Sequence, residues 1–138
     1  MSNSLKLAVV TGASSGIGAA TATLFANNGY QVIAGARRLD RLQALAATNP
    51  NIEVHELDVT NQDSVDNFVK ELNGRVVDVL INNAGGAFDS SSVLDSDPAI
   101  WTKSYEVNVV GTVRMTKAVA PSMIQNGKGH IVIISSAA

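Results

Sequence analysis

The 138-residue sequence contains no cysteine. Disulfide bonds, thiolate catalysis and cysteine-based metal sites are therefore excluded, and a cytoplasmic location is the natural expectation. The sequence has no excess of basic residues, and its net charge is −2. This charge argues against nucleic acid as the main partner. No apolar run approaches the length of a membrane span, and the amino terminus lacks a signal-peptide pattern, so no membrane partner is expected.

Histidines at a spacing typical of metal ligands are also lacking. His55 falls within one strand pattern and His130 opens another, far apart in the chain. We therefore assign neither histidine to a metal or to catalysis, and the sequence predicts no metal site.

What the sequence does contain is the ordinary balance of one globular domain, with 46% hydrophobic and 16% charged residues. Short apolar segments alternate with segments of helical periodicity. The predicted strands are residues 5–10, 31–36, 52–57, 76–81 and 130–135. This alternation predicts an α/β fold, a doubly wound, Rossmann-like parallel sheet with right-handed crossovers that ends after its fifth strand.

Four helices are predicted between these strands. Apolar residues recur at helical spacing in the first, namely Ile17, Ala20, Thr21, Leu24 and Phe25. Thr60 is expected to cap the third helix. Asp97 and Pro98 form a cap and a first-turn proline for the fourth, which is predicted to reach about Val119, with Pro121 stopping or kinking it.

A glycine-rich turn lies between the first strand and the first helix. Gly12 permits a tight turn, Gly16 lets the main chain approach a phosphate, and Gly18 lets the helix pack closely. The N–H groups of the first helical turn lack internal partners and, with the helix dipole, favour an anion. The residues predicted to bind a pyrophosphate here are Thr11, Gly12, Ser14, Ser15, Gly16, Ile17 and Gly18. A purely structural glycine turn is the alternative.

The residues that follow the second predicted strand indicate which dinucleotide would bind. In a dinucleotide fold this position lies beside the adenosine ribose, where an acid accepts the 2′-hydroxyl and repels a 2′-phosphate. Here Ala36 is followed by Arg37 and Arg38, and no acid occurs before Asp40. A guanidinium pairs well with a phosphate, so the sequence predicts NADP(H) in preference to NAD(H). The alternative is that both arginines are solvated residues at a helix start.

Three motifs in order resemble the short-chain dehydrogenase/reductase family. They are Thr-Gly-x-x-x-Gly-x-Gly at 11–18, Asn-Asn-Ala-Gly at 82–85 and Asn-x-x-Gly at 108–111. The likeness extends over the whole chain. It implies an oxidoreductase that interconverts a small-molecule carbonyl and an alcohol by hydride transfer to or from a nicotinamide cofactor. It also implies a homo-oligomer, a dimer or tetramer formed through the long fourth helix.

The resemblance further implies how the cofactor is bordered. Asp58 would accept a hydrogen bond from the adenine amino group, with Val59 packing nearby; simple loop and cap chemistry ahead of a helix is the alternative for Asp58. Asn82, Ala84 and Gly85 would border the cofactor after the fourth strand.

Two further residues acquire catalytic roles from the resemblance. Asn108 would hold a water in a proton relay, while a buried polar group that satisfies a local kink is its structural alternative. Ser136, at the end of the fifth strand, would hydrogen-bond the substrate oxygen.

The family's proton-transfer pair, Tyr-x-x-x-Lys, does not occur in these 138 residues. Tyr30 and Tyr105 are followed at the fourth position by Ala34 and Val109. We therefore expect residues 1–138 to form an incomplete NAD(P)-binding Rossmann domain that is inactive alone. The alternative is a non-catalytic nucleotide-binding fragment or partner protein that lacks the pair.

Overall fold

A computed structural model describes residues 5–135. Five strands form one sheet, and every neighbouring pair runs parallel. The strands are β1 (Lys6–Thr11), β2 (Tyr30–Ala36), β3 (Ile52–Glu56), β4 (Val79–Asn82) and β5 (His130–Ile133). The helices are α1 (Gly16–Asn27), α2 (Leu39–Ala46), α3 (Gln62–Lys70), α4 (Pro98–Tyr105), a π-helix (Glu106–Val110) and α5 (Gly111–Asn126). The predicted doubly wound α/β fold is confirmed.

The sheet order is β3-β2-β1-β4-β5, so β1 lies at the centre and the direction of winding reverses between β1 and β4. Residues of β1 alternate between two apolar cores, one on each face of the sheet. Leu7 and Val9 pack with residues of α3 and α5, whereas Ala8 and Val10 pack with residues of α1 and α2. The reversal beside β1 opens a crevice at the carboxyl ends of the strands, where open α/β sheets bind ligands.

Helix α1 forms as predicted, and small residues form its buried face. Ile17 and Leu24 are 62% and 63% exposed. The buried residues are Gly18, Ala22 and Ala26, spaced four apart on one stripe. These small side chains let the helix lie close to the sheet, while Phe25 packs partly buried at the edge of the same core. The first helix was therefore predicted correctly from the spacing of its residues.

The cap of α3 is Asn61, not Thr60. Asn61 Oδ1 accepts a hydrogen bond from the Ser64 N–H at 3.1 Å. The Thr60 hydroxyl is already used, because it donates to Asp58 Oδ1 at 2.6 Å. The prediction of Thr60 as the cap was wrong because the preceding carboxylate competes for that hydroxyl.

The long helical segment continues past Pro121 to Asn126, beyond the predicted end near Val119. A proline inside a helix forfeits its own N–H···O bond. Here Val119 and Met123 are buried on either side of Pro121, and their packing against the sheet maintains the helix. Gly127, at a φ of +80°, ends the helix in the left-handed conformation.

Strand boundaries also differ from prediction, seven of the ten by one to three residues. Strand β4 begins at Val79 rather than at residue 76, while β3 and β5 end one and two residues earlier than predicted. Val76 and Val77 precede the first residue of β4 that pairs with β1, which is Val79. Just before this pairing begins, the Leu7 N–H donates to the Asp78 carboxylate at 2.8 Å. Among residues 5–135, no helix is both long and apolar enough to cross a membrane.

Candidate functional site

A cleft of about 690 Å³ lies at the carboxyl ends of β1 to β4, at the reversal of the sheet order. This volume is within the range of about 300–1,000 Å³ that is usual for small-molecule sites. The residues lining the cleft are Gly12, Ser14, Ser15, Ile17, Ala36, Arg37, Arg38, Leu57, Asp58, Val59, Thr60, Asn83, Ala84, Gly85, Phe88 and Val107. Most of them come from the four loops that follow the strands.

The floor of the cleft joins the turn after β1 to the turn after β4. Buried Thr11 accepts hydrogen bonds at its Oγ1 from the N–H groups of Asn83 and Ala84, at 3.0 and 2.9 Å. Asn83 Nδ2 in turn donates to the Gly12 carbonyl at 3.1 Å. A Cβ on Gly12 would lie 2.8 Å from Ala84 Cα, and Gly12 has a φ of +63°. Only glycine fits there, so the two turns form one rigid floor.

The amino terminus of α1 lies against this floor. Gly18 is buried, and a Cβ on it would overlap the Gly12 carbonyl and Asn83. Ser15 is the cap residue but makes no capping side-chain hydrogen bond, and the first turn contains no acidic residue. Gly16 is exposed with a φ of +57°, and nothing lies within 4 Å of where its Cβ would stand. This helix end thus presents N–H groups and open space to an anion.

Arg37 and Arg38 stand at the mouth of the cleft. Buried Ala36 ends β2, and both arginines follow it exposed to solvent. The two guanidinium groups give this corner of the cleft a positive charge. Asp58, on the next loop, interacts electrostatically with Arg37.

Asp58 holds its own loop in shape. Its Oδ1 accepts hydrogen bonds from the N–H and the hydroxyl of Thr60, at 3.0 and 2.6 Å. Partial burial acts to raise the pKa of this carboxyl, but the Thr60 hydrogen bonds and the charges of Arg37 and Arg114 outweigh it, and the pKa is lowered from 3.8. Asp58 is therefore a carboxylate at neutral pH, fixed at the cleft wall.

The two asparagines at the carboxyl end of β4, Asn82 within the strand and Asn83 just after it, differ in orientation. Asn82 is 4% exposed, and its Nδ2 donates to Thr116 Oγ1 on α5 at 3.3 Å, away from the cleft. Asn83 lines the cleft. The cofactor prediction included Asn82 and did not include Asn83. Because successive side chains along an extended segment point to opposite sides, only one of the two neighbouring asparagines was to be expected in the cleft.

Asn108 lies at the centre of the π-helix and is exposed, so the structural alternative of a buried polar group does not apply. Its Nδ2 donates to the Gly86 carbonyl and its Oδ1 accepts from the Gly86 N–H, both at 2.9 Å. Helical periodicity gives no warning of a π-turn, which is rare and frequently lies at functional sites.

Ten of the residues predicted for the cofactor line the cleft: Gly12, Ser14, Ser15, Ile17, Arg37, Arg38, Asp58, Val59, Ala84 and Gly85. Five predicted residues do not line it, namely Thr11, Gly16, Gly18, Asn82 and Asn108. Ser136 lies outside the described residues. The lining residues that the prediction missed include Phe88 and Val107, which no sequence pattern marked.

Within residues 5–135, no group of three or more histidine, aspartate or glutamate residues is arranged to hold a metal ion. The cleft is suited to an organic ligand that carries phosphate, because Arg37, Arg38 and the N–H groups at the start of α1 border it.

The chain matches known proteins over nearly its whole length. Residues 6–138 match the family described as short chain dehydrogenase. The NADP-dependent 3-hydroxy acid dehydrogenase of Salmonella typhi is 37% identical over 135 residues, which cover 96% of this chain and 54% of that protein. An uncharacterized oxidoreductase of Staphylococcus aureus is also 37% identical, and the match covers 95% of this chain and 58% of that protein. The chain spans about half the length of these curated relatives.

Solved structures give the same result. The closed form of a serine dehydrogenase complexed with NADP⁺ matches with a TM-score of 0.91 and 34% identity, over 95% of this chain and 54% of that chain. A metagenomic short-chain oxidoreductase in complex with NADP matches with a TM-score of 0.87 and 36% identity, over 96% of this chain and 63% of its own.

Proposed function

The chain belongs to the short-chain dehydrogenase family, and on that premise we propose that its cleft binds NADP(H) in preference to NAD(H). Residues 1–138 are then the cofactor-binding part of an oxidoreductase that interconverts a carbonyl and an alcohol. Relatives described as NADP-dependent or complexed with NADP support this assignment.

The observation that carries the proposal is the pairing of an anion-accepting helix end with two arginines across one cleft. Ser14, Ser15 and the first turn of α1 would hold the pyrophosphate, because the helix end offers N–H groups and no acid. Arg37 would pair with the 2′-phosphate, since its guanidinium is exposed and lines the cleft. The cleft therefore fits a phosphorylated dinucleotide at both of its charged positions.

Asp58 and Val59 would receive the adenine ring at the cleft wall formed by the loop after β3. The Asp58 carboxylate retains an oxygen, Oδ2, besides the Oδ1 that Thr60 occupies. Ala84 and Gly85 would border the ligand from the floor.

When bound, the dinucleotide supplies the hydride chemistry of the reaction. We propose that Ser136 hydrogen-bonds the substrate oxygen and that Asn108 supports the proton relay. The Tyr-x-x-x-Lys pair is not among residues 1–138. The chain by itself should accordingly bind the cofactor without turnover.

An Arg37→Asp variant tests the cofactor assignment. Replacing the guanidinium by a carboxylate should weaken NADPH binding by about 10- to 100-fold more than NADH binding, because a charged hydrogen bond is lost and a repulsion is gained. Titration of both cofactors, followed by their fluorescence, measures the two dissociation constants. Arg41→Asp on the exposed face of α2 is the matched control, because Arg41 does not line the cleft. Equal losses for NADPH and NADH would overturn the 2′-phosphate assignment.

The competing proposal is a nucleotide-binding protein without catalysis. It is favoured by one observation, the absence of lysine four residues after either tyrosine of the chain. The full coding sequence discriminates the two functions, because a downstream Tyr-x-x-x-Lys supports the enzyme and a stop codon after residue 138 supports the binder.

We also propose that the intact protein is a homo-oligomer, a dimer or tetramer, in the cytoplasm. The long helical segment supports this, because Trp101, Tyr105 and Val113 are each about half exposed along it. Light scattering of the purified protein measures the assembly, and a monodisperse monomer would contradict the proposal.

A further inference from the structure

Arg114 of α5 reaches out of its helix to the wall of the cleft. Its Nη1 donates to the Val59 carbonyl at 3.1 Å. Its Nη2 lies 2.6 Å from Glu106 Oε1 in the π-helix, and the arginine side chain is 21% exposed. One guanidinium thus connects the loop after β3 to the helical segment that carries Asn108. Arg114 does not itself line the cleft.

Val59 is held from a second direction by Gly111, the first residue of α5. A Cβ at position 111 would stand 2.6 Å from Val59 Cγ2, so the helix backbone lies directly against this side chain. Val59 is 6% exposed and lines the cleft. Its side chain is therefore fixed by α5, while its carbonyl is fixed by Arg114.

The rest of the loop depends on few regular contacts, because it belongs to no strand or helix. The Asp58 N–H donates to Ser64 Oγ at 2.8 Å, and the Asn61 N–H donates to the Asp58 carbonyl at 3.1 Å. These bonds fix the loop to α3 and to itself. Arg114 supplies the hydrogen bond that fixes the loop to α5.

From this geometry we infer that Arg114 is a positioning residue for the adenosine half of the ligand. Acting through the Val59 carbonyl, it sets how far the Asp58–Thr60 wall stands from the arginines at the mouth of the cleft. Glu106 holds the guanidinium in place. The inference rests on the proposed function, because it concerns where the cofactor's adenosine is received.

The role predicts a signature that differs from that of Arg37. Arg37 would distinguish the 2′-phosphate, whereas Arg114 serves the part that NADPH and NADH share. Arg114→Met keeps an unbranched apolar stem and removes the charge and the donors, so both cofactors should bind about tenfold more weakly with their ratio unchanged. Arg114→Lys retains a charged donor for the Val59 carbonyl without the planar fork that also reaches Glu106, and it should restore part of the affinity.

The experiment is a titration of the 138-residue chain with NADPH, NADH and adenosine 2′,5′-bisphosphate. Lys117→Met is the matched control, because it removes an exposed cation one turn along the same helix. Amide hydrogen exchange over residues 57–61, compared with β1, is the second readout. Exchange should accelerate in the loop and stay unchanged in the strand for Arg114→Met. Where that variant does not fold, Glu106→Gln should show the same pattern at about threefold, since only the charge that orients Arg114 is lost.

Three outcomes overturn the inference while leaving the cofactor proposal intact. The first is wild-type affinity in Arg114→Met. The second is an altered ratio of NADPH to NADH affinity, which would place Arg114 at the 2′-phosphate. The third is an equal loss in the methionine and lysine variants, because a positioning donor is partly rescued by lysine. If the wild-type chain binds none of the three probes, the proposed function fails, and the inference that rests on it fails too.

Discussion

Asn108 holds Gly86 by both of its main-chain groups. The side-chain amide donates to the Gly86 carbonyl and accepts from its N–H, each at 2.9 Å, much as two peptide groups pair in a sheet. The contact spans 22 residues and ties the π-helix to the loop that leads to Phe88. Through these two hydrogen bonds, Asn108 also shapes the loop that borders the cleft.

Replacing Asn108 by aspartate tests this tie. The carboxylate keeps the acceptor but loses the donor and faces the Gly86 carbonyl with a like partial charge. We expect a loss of about 0.5–1.5 kcal/mol in the free energy of unfolding and faster exchange of the Gly86 amide. Urea unfolding and hydrogen exchange measure the two effects. Asn67→Asp on the exposed side of α3 is the control, and an Asn108→Asp chain as stable as that control contradicts the account.

Replacing Gly18 by alanine tests the packing of α1 against the floor. The added Cβ would overlap the Gly12 carbonyl and Asn83, neither of which moves without opening the turn. We expect destabilisation of about 1–3 kcal/mol together with loss of cofactor binding, because overpacking shifts the backbone of the cleft. Gly29→Ala is the comparison. Gly29 has a φ of +87° with open space around it, so that variant should lose stability of about 1 kcal/mol through backbone strain and keep its binding. Equal binding by both variants would show that close packing at Gly18 is not required.

The Glu53–Arg75 pair predicts a dependence of stability on pH. Arg75 donates to both carboxylate oxygens of Glu53, at 3.3 and 2.9 Å, and His55 adds a contact at 2.7 Å. The Arg75 hydrogen bonds are the largest influence on the Glu53 pKa, which lies below its ordinary 4.5 although burial opposes the change. A lowered pKa in the folded state means that the stabilisation is present above pH 4.5 and is lost as the pH falls through the folded value.

Glu53→Gln should therefore flatten the loss of stability in acid, since the glutamine does not titrate. Urea midpoints at about pH 7 and about pH 3 measure the difference from wild type. Arg75→Gln should remove the same part of the pH dependence, and the double variant should remove no more than either single one. A wild-type and a Glu53→Gln chain with identical pH profiles would contradict the assignment.

The order of the elements was predictable because buried parallel strands are continuous apolar runs and helices are periodic. The faces and ends were less predictable. The small residues at positions 18, 22 and 26 contribute little to a hydrophobic pattern, yet they form the buried side of α1. Pro121 breaks isolated helices, but burial of Val119 and Met123 outweighs the lost hydrogen bond.

The candidate site was predictable where it depends on backbone chemistry. Gly12 and Gly18 sit where their lack of a Cβ is required, and Arg37 lies at the predicted strand end. Contacts that join distant loops were not predictable from local pattern. Nothing in the sequence around Arg114 distinguishes it from a surface arginine. Its contact with Val59 forms only because the fold brings α5 next to the loop that follows β3.

The hydrogen bond from the Ala84 N–H to Thr11 joins residues 73 positions apart. During synthesis, the glycine turn leaves the ribosome long before the chain that completes it exists. Closing so long a loop costs conformational entropy that only the assembled sheet repays. A peptide of residues 5–27 contains every glycine of the turn and still lacks Asn83 and Ala84. Such a peptide would not hold the anion-binding shape, so cofactor binding becomes possible only late in folding, after β4 has paired with β1.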